Sequence, residues 1–483
     1  MKFRHAIPAR PLAAFAMLAG GTASAQPTPV PPSTFVNWET PQVHPMDLTP
    51  DQRRLLVVNT ANNSLDVFDV ERAHPRLLAS IPVGLDPVAV RAADAQTAWV
   101  VNQVSDSVSI VDLATMRVVQ TIDTDDEPCD VVFAGSPRRA FVSCSQVNLV
   151  QVFDLAAPSQ PVGSVLINGE DPRAMAVSPD GSSVYVAVFE SGNGSTIIGG
   201  GSMGVGTIAF PPNAVSDPLG PYAGVNPPPN AGAVFFPSLT AGLPAPLAVG
   251  LIVKKDALGR WMDDNNGDWT NLVSGANASR SGRLPGWNLP DRDLAVIDAT
   301  TLNVNYATRL MNMCMAVGVN PATGVVTMVG TDAINEVRFE PNVNGRFVRV
   351  KVANVSPSNL AAPAISDLNT HLTYAAPTIP QSDRNRSVGD PRAVVWNASG
   401  TQGFVAGMGS NNVIAIDATG VRSALPAIPV GEGPTGLVLD STRDRLYVLN
   451  RFGGSVSIVS LSTWSEAGRL SLFDPTPTAI KTG

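Results

Sequence analysis

Histidine, cysteine and positive charge are what this sequence has least of. Four of its 483 residues are His and three are Cys. Beyond the first 25 residues only His44, His74 and His371 remain, far apart, so a three-His metal centre is not expected. None of the cysteines stands in a Cys-x-x-Cys-His pattern, so no covalent haem is expected on this polypeptide. Charged residues make up 15%, the formal net charge is −8 and no basic run is present, which argues against non-specific nucleic-acid binding. No apolar run reaches the roughly 20 residues that a membrane span needs. A Ser nucleophile elbow, a Walker loop and a dinucleotide fingerprint are likewise missing.

Glycine and proline are plentiful, 41 and 42 residues, as suits many short strands punctuated by turns. Ala98–Leu113, AWVVNQVSDSVSIVDL, is two β-branched, apolar runs around a polar turn. The same pattern returns at Leu55–Val70, Ala140–Leu155, Gly403–Ala418 and Leu446–Leu461. Its closing position falls at Asp69, Asp112, Asp154, Asp417 and Ser460, and neighbouring copies lie 42 or 43 residues apart. A period of that size built from short strands means propeller blades.

Taken in order, the chain opens with Lys2, Arg4 and Arg10, a short apolar core and the small-residue site Ala23-Ser24-Ala25. This reads as an export signal over 1–25, cleaved near Ala25, and places the mature protein in the periplasm or outside the cell. Residues 26–42 form a Pro-rich lead-in. An all-β, seven-bladed β-propeller is expected over 43–474, followed by a tail at 475–483. Each blade starts at a Gly/acid-Pro turn, as in Gly84-Leu85-Asp86-Pro87 or Gly169-Glu170-Asp171-Pro172, where Pro begins a strand without owing a ladder hydrogen bond. Blades four and five are too long. In blade four the third strand returns only at Asp293–Ala299, which makes 190–292 an insertion; in blade five the third strand is read at Asn335–Pro341 and 342–388 as an insertion. Long irregular insertions in a compact repeat fold are often functional, so a site is expected at the channel mouth beneath them. Blades one and seven each supply their own four strands, so the ring should close by side-chain packing, without an outer strand from Phe35–Glu39.

Val57–Asn59, Val100–Asn102 and Tyr447–Asn450, with the SVSIVD or SVSIVS third strand, resemble the YVTN family of bacterial β-propeller repeats. That resemblance implies an extracytoplasmic propeller, of a kind similar to surface-layer and binding proteins, lactonases, the heavy subunit of methylamine dehydrogenase and the d1-haem domain of nitrite reductase. Phe473–Gly483 resembles the connector that, in longer relatives, leads to a di-haem cytochrome c peroxidase-like domain. The resemblance therefore implies a docking module for a periplasmic haem electron-transfer partner such as a c-type cytochrome. The alternative is a lactonase-like or metal-dependent periplasmic enzyme.

Candidate site residues come from the blade starts. Aligned inner strands put Met46, Val88, Cys129, Arg173, Met315, Arg392 and Thr435 at equivalent positions around one end of the channel, with Met311, Met313, Cys314 and His44 nearby. Met46, Cys129, Cys314 and Met315 are soft ligands suited to copper, or else plain core residues. Arg173 and Arg392, with Asp171 and Asp390, either attract an anionic ligand at the mouth or pair with their own carboxylates. Asp263, Asp264 and Asp268 offer oxygen ligands for calcium, or form an Asx/Gly turn. An antiparallel hairpin brings Cys129 and Cys144 nearly opposite each other, which allows a disulfide in an oxidising compartment.

Overall fold

The computed structural model describes residues 40–481 except 199–250, 263–267, 277, 279–288, 335–337, 341–343, 346–347 and 374–378. The expected signal segment, Phe35–Glu39, Asp263 and Asp264 lie outside the described residues. Seven four-stranded antiparallel blades make up the propeller. Blade two shows the pattern: Pro87–Ala92 is innermost, then Thr97–Asn102, Ser107–Asp112 and the outer Arg117–Asp123. Burial falls along the same path, from the fully buried second and third strands to the alternately exposed outer one.

Each letter of the repeat has a physical task. Asn102, which ends the second strand, is buried and donates through Nδ2 to Ser107 and Ser109 of the third at 3.3 and 3.0 Å. Asn450 does the same to Ser455 and Ser457. The closing Asp makes an Asx turn, Asp112 Oδ1 accepting the amides of Ala114 and Thr115, so the third strand ends where its side chain can bind the next two amides.

The acidic residue before Pro adopts a left-handed backbone, at Asp86, Glu127, Asp171 and Asp390. There its amide latches onto the preceding blade: Asp86 onto Asn63 Oδ1, Glu127 onto Asp106 Oδ1 and Asp171 onto Asn148 Oδ1. In blade seven Gly433 takes that place against Asn411 Oδ1. Side chains interleaved between blades, such as Trp99 edge-on to Phe133 at 5.7 Å, complete the core. Leu55, Phe68, Tyr447 and Ile458 pack blade seven against blade one, and both blades are built from their own four strands.

Blade four is Glu170–Val177, Ser183–Glu190, Leu294–Asp298 and Val304–Ala307. Between its second and third strands lies a separate small sheet of Ser195–Ile198, Leu251–Lys255 and Trp261–Met262. Lys254 and Asn193 both bind Asp332 at 2.7 Å, tying that sheet to blade five. The reading of blade five is corrected: its third and fourth strands are Val348–Ser356 and Asn359–Asp367, inside the stretch taken as an insertion. Arg338–Glu340 instead pairs with Asn344–Gly345. The sequence signal failed there because Val348–Ser356 turns back at Pro357-Ser358 and lacks both the Asn–Ser signature and the closing Asp. Among the described residues no helix is long and apolar enough to cross a membrane.

Candidate functional site

The residue after Pro87, Pro391 and Pro434 sits in a one-residue β-bulge, because the register shifts between Pro87 and Ala89, Pro391 and Ala393, and Pro434 and Gly436. Val88, Cys129, Met315, Arg392 and Thr435 are such bulge residues, Arg173 lies in the corresponding irregularity, and Met46 pairs regularly with Val57. Arg173 and Arg392 each bind their own carboxylate: Arg173 Nε donates to Asp171 at 2.7 Å and Arg392 Nε to Asp390 at 2.7 Å. Both guanidinium groups also approach the ring of Phe189, at 3.8 and 5.8 Å from its centroid. Blades four and six thus meet over one aromatic ring at the end of the channel where inner strands begin, and both cations are already paired.

The soft residues divide between packing clusters. Met46 lies among Leu55, Val57 and Tyr447, while Cys129 and Cys314 belong to another cluster. Cys129 Sγ faces Gln103, and Cys314 Sγ donates to Asp293 Oδ1 at 3.7 Å. Among the described residues no group of three or more His, Cys, Asp or Glu side chains converges as metal ligands. Asp268 Oδ1 accepts the amide of Thr270, an Asx turn. The disulfide expectation is corrected: Cys129 and Cys144 are free, buried thiols. Cys144 pairs with Pro128 while Cys129 occupies the bulge, and Cys144 faces Gln151 of its own blade. Burial pushes the Cys129 thiol up to about 12 and raises those of Cys144 and Cys314 as well.

A cavity of about 580 Å³ opens elsewhere, lined by the finishing ends of the inner strands, for example Ala92, Phe133, Val177, Val319 and Trp396. The expectation of a site beneath the insertions is corrected for blade four: its insertion leaves from Glu190, which pairs with Glu170 at the starting end, whereas the cavity opens at the finishing ends of the inner strands. The short segment that joins the lead-in to the first strand, Met46–Leu48, places the polar wall. Residues 43–45 run parallel to the inner strand of blade two, the Val43 amide donating to Val88 O and the Val90 amide to His44 O. This places His44 beside Asp130 of the neighbouring blade three, with Nδ1 2.5 Å from Oδ2.

Asp130 is fully buried and also accepts the amides of Val131 and Met175 at 2.9 and 2.7 Å, with Arg91 Nε 3.7 Å away. Burial alone would push its carboxyl up, but His44, Arg91 and these hydrogen bonds outweigh it and hold the pKa below the usual value. Ser143 Oγ accepts the Asp130 amide and donates to Arg173 O at 2.7 Å, so the strand carrying Asp130 is itself fixed. Asp47 lies beside Arg91 and accepts the amides of Leu48 and Ala92, yet burial dominates and raises its pKa.

A histidine oriented by a buried carboxylate, its other nitrogen without a partner among the described residues, can take a proton from water, and a guanidinium beside it can steady a developing oxyanion. Sequence reading set His44 beside the soft cluster and gave Asp130 no part. The available signal was a carboxylate inside the otherwise apolar strand Pro128–Ala134, PCDVVFA, in a chain with few histidines.

Comparisons with known proteins agree on the architecture. A family model described as "Lactonase, 7-bladed beta-propeller" matches residues 22–198. That segment holds His44, Asp47, Arg91 and Asp130. No curated protein shows a significant sequence match. Among solved structures the chain is similar to Kuenenia stuttgartiensis hydrazine synthase, at 15% identity over 89% of this chain and 98% of that one, with a TM-score of 0.53. It is also similar to a putative 6-phosphogluconolactonase from Bacteroides uniformis, at 12% identity over 81% and 86%, with a TM-score of 0.43.

Proposed function

We propose that this propeller is a hydrolase of small lactones or esters, acting in the channel cavity. The observation that carries the reading is the His44–Asp130 pair, 2.5 Å apart with its carboxylate fully buried, on a cavity that Arg91 also lines. Asp130, held ionised, accepts the Nδ1 proton of His44 and leaves Nε2 as the acceptor. In the proposed step His44 Nε2 takes a proton from water as its oxygen bonds to the carbonyl carbon. Arg91 offsets the charge on the carbonyl oxygen, and the ring C–O bond breaks as His44 returns the proton to the departing alkoxide. The lactonase-type match over residues 22–198 supports this class of reaction.

Hydrolysis of a lactone panel followed by pH-stat is the test. We expect His44→Gln and Asp130→Asn to lower kcat/KM by about 10²- to 10⁴-fold. Equal rates in wild type and His44→Gln would overturn the mechanism. Export to the periplasm, the YVTN-type relationship and the connector reading of 473–483 belong to the same proposal. If no lactone or ester is turned over and a c-type cytochrome co-purifies with protein taken from the host periplasm, a docking role replaces it. Elemental analysis of that preparation checks the calcium and copper expectations.

A further inference from the structure

The cavity has two unlike walls. Its polar side comes from the segment before the first strand and from blades one and two, with His44, Asp47, Gln52 and Arg91. Facing it, blades four to six contribute Val177, Val317, Val319, Pro321, Val394 and Trp396. The cations that line it are engaged. Arg91 lies 3.7 Å from Asp130, while Arg138 donates to Ala93 O at 2.7 Å and stacks over Phe133 at 5.0 Å. A phosphate would bring its charge against the Asp47 carboxylate, and Arg91, already shared with Asp47 and Asp130, would have to balance it alone, whereas a carbonyl oxygen asks far less of the same guanidinium. A polyhydroxylated ring would press hydroxyls against the valine and tryptophan wall, where each one left without a partner is penalised.

We infer that the ligand is amphipathic: a lactone or ester whose carbonyl end faces His44 and Arg91 and whose aliphatic tail lies along the wall of blades four to six, not a sugar acid or its phosphate. The inference rests on the proposed hydrolase reading for the carbonyl end, while the tail preference follows from the wall alone. Burying each further methylene against that wall should tighten binding about threefold to fourfold.

Titration calorimetry with the mature protein, using γ-butyrolactone, γ-hexalactone, γ-octalactone and γ-decalactone, with gluconolactone and 6-phosphogluconate beside them, tests it. The His44→Gln variant serves as the host wherever wild type turns the probe over. The expected result is a stepwise gain in affinity along the series, flattened in Val177→Thr and Val319→Thr, with the two sugar compounds at least tenfold weaker than γ-octalactone. Tight gluconolactone or 6-phosphogluconate binding with a flat chain-length series overturns the inference and leaves the hydrolase reading standing. A stepwise series without turnover in wild type supports the ligand class and removes the hydrolase instead. Absence of binding by every probe in a protein with an unchanged Tm overturns the inference outright.

Discussion

Replacing Asp130 with Ala removes one carboxylate and strands three partners. The amides of Val131 and Met175 and the His44 ring lose their acceptor in a fully buried position. Each buried donor left unpaired costs about 1–3 kcal/mol, and breaking a buried pair by deleting one member costs about 3–5 kcal/mol in all. About 350 described propeller residues give an unfolding entropy near 0.7 kcal/mol per degree, so a loss of about 4 kcal/mol lowers Tm by about 5 °C. Differential scanning calorimetry at pH 7 reads this directly. His44→Ala tests the same contact from its other side and should cost less, since the two amides and Arg91 still hold the carboxylate. An Asp130→Ala protein melting within 1 °C of wild type would refute the account, because bonds of 2.5 to 2.9 Å to a buried carboxylate cannot be lost at no cost.

Burial pushes Asp293 up to about 7, with one oxygen bound by the Met311 amide and the Cys314 thiol. Its folded pKa lies above the unfolded value, so its cost to the fold begins as pH rises past about 4 and is complete above about 7. Asp293→Asn should therefore stabilise the fold at pH 8 by at most about 4 kcal/mol, read as a higher Tm, with no gain near pH 4; an equal gain at both pH values would show that ionisation is not the cause. The buried thiols should not react with Ellman's reagent at pH 8 until the protein is unfolded, and reductant should leave Tm unchanged. A Tm that falls on reduction would restore the Cys129–Cys144 bridge. Asn102→Ala leaves the hydroxyls of Ser107 and Ser109 without their donor in the core, and a Tm drop of about 2–3 °C is expected by calorimetry.

The repeat was legible because propeller blades are local. The strands of a blade follow one another in sequence, so β-branched runs, the Asn that ends strand two and the Asp that closes strand three all appear within one period of 42 or 43 residues. From that pattern came the fold class, the blade number and the equivalence of Val88, Cys129 and Arg392, while the bulge they share came from the strand register. Where a blade abandons the pattern, as at Val348–Asp367, local reading assigned regular strands to an insertion.

The cavity could not be read in this way. His44, just before blade one, and Asp130, in blade three, are 86 residues apart, and although a carboxylate in an apolar strand stands out, nothing local says what it faces. Parallel pairing of residues 43–45 with the inner strand of blade two lets an imidazole from before blade one reach a carboxylate of the neighbouring blade three. Arg173 and Arg392 likewise meet over Phe189 only because blades four and six flank blade five. Strand order and turn chemistry depend on neighbours in the chain, and one sequence carries them; which side chains share the axis depends on how seven blades curve into a ring, and the tertiary structure decided that.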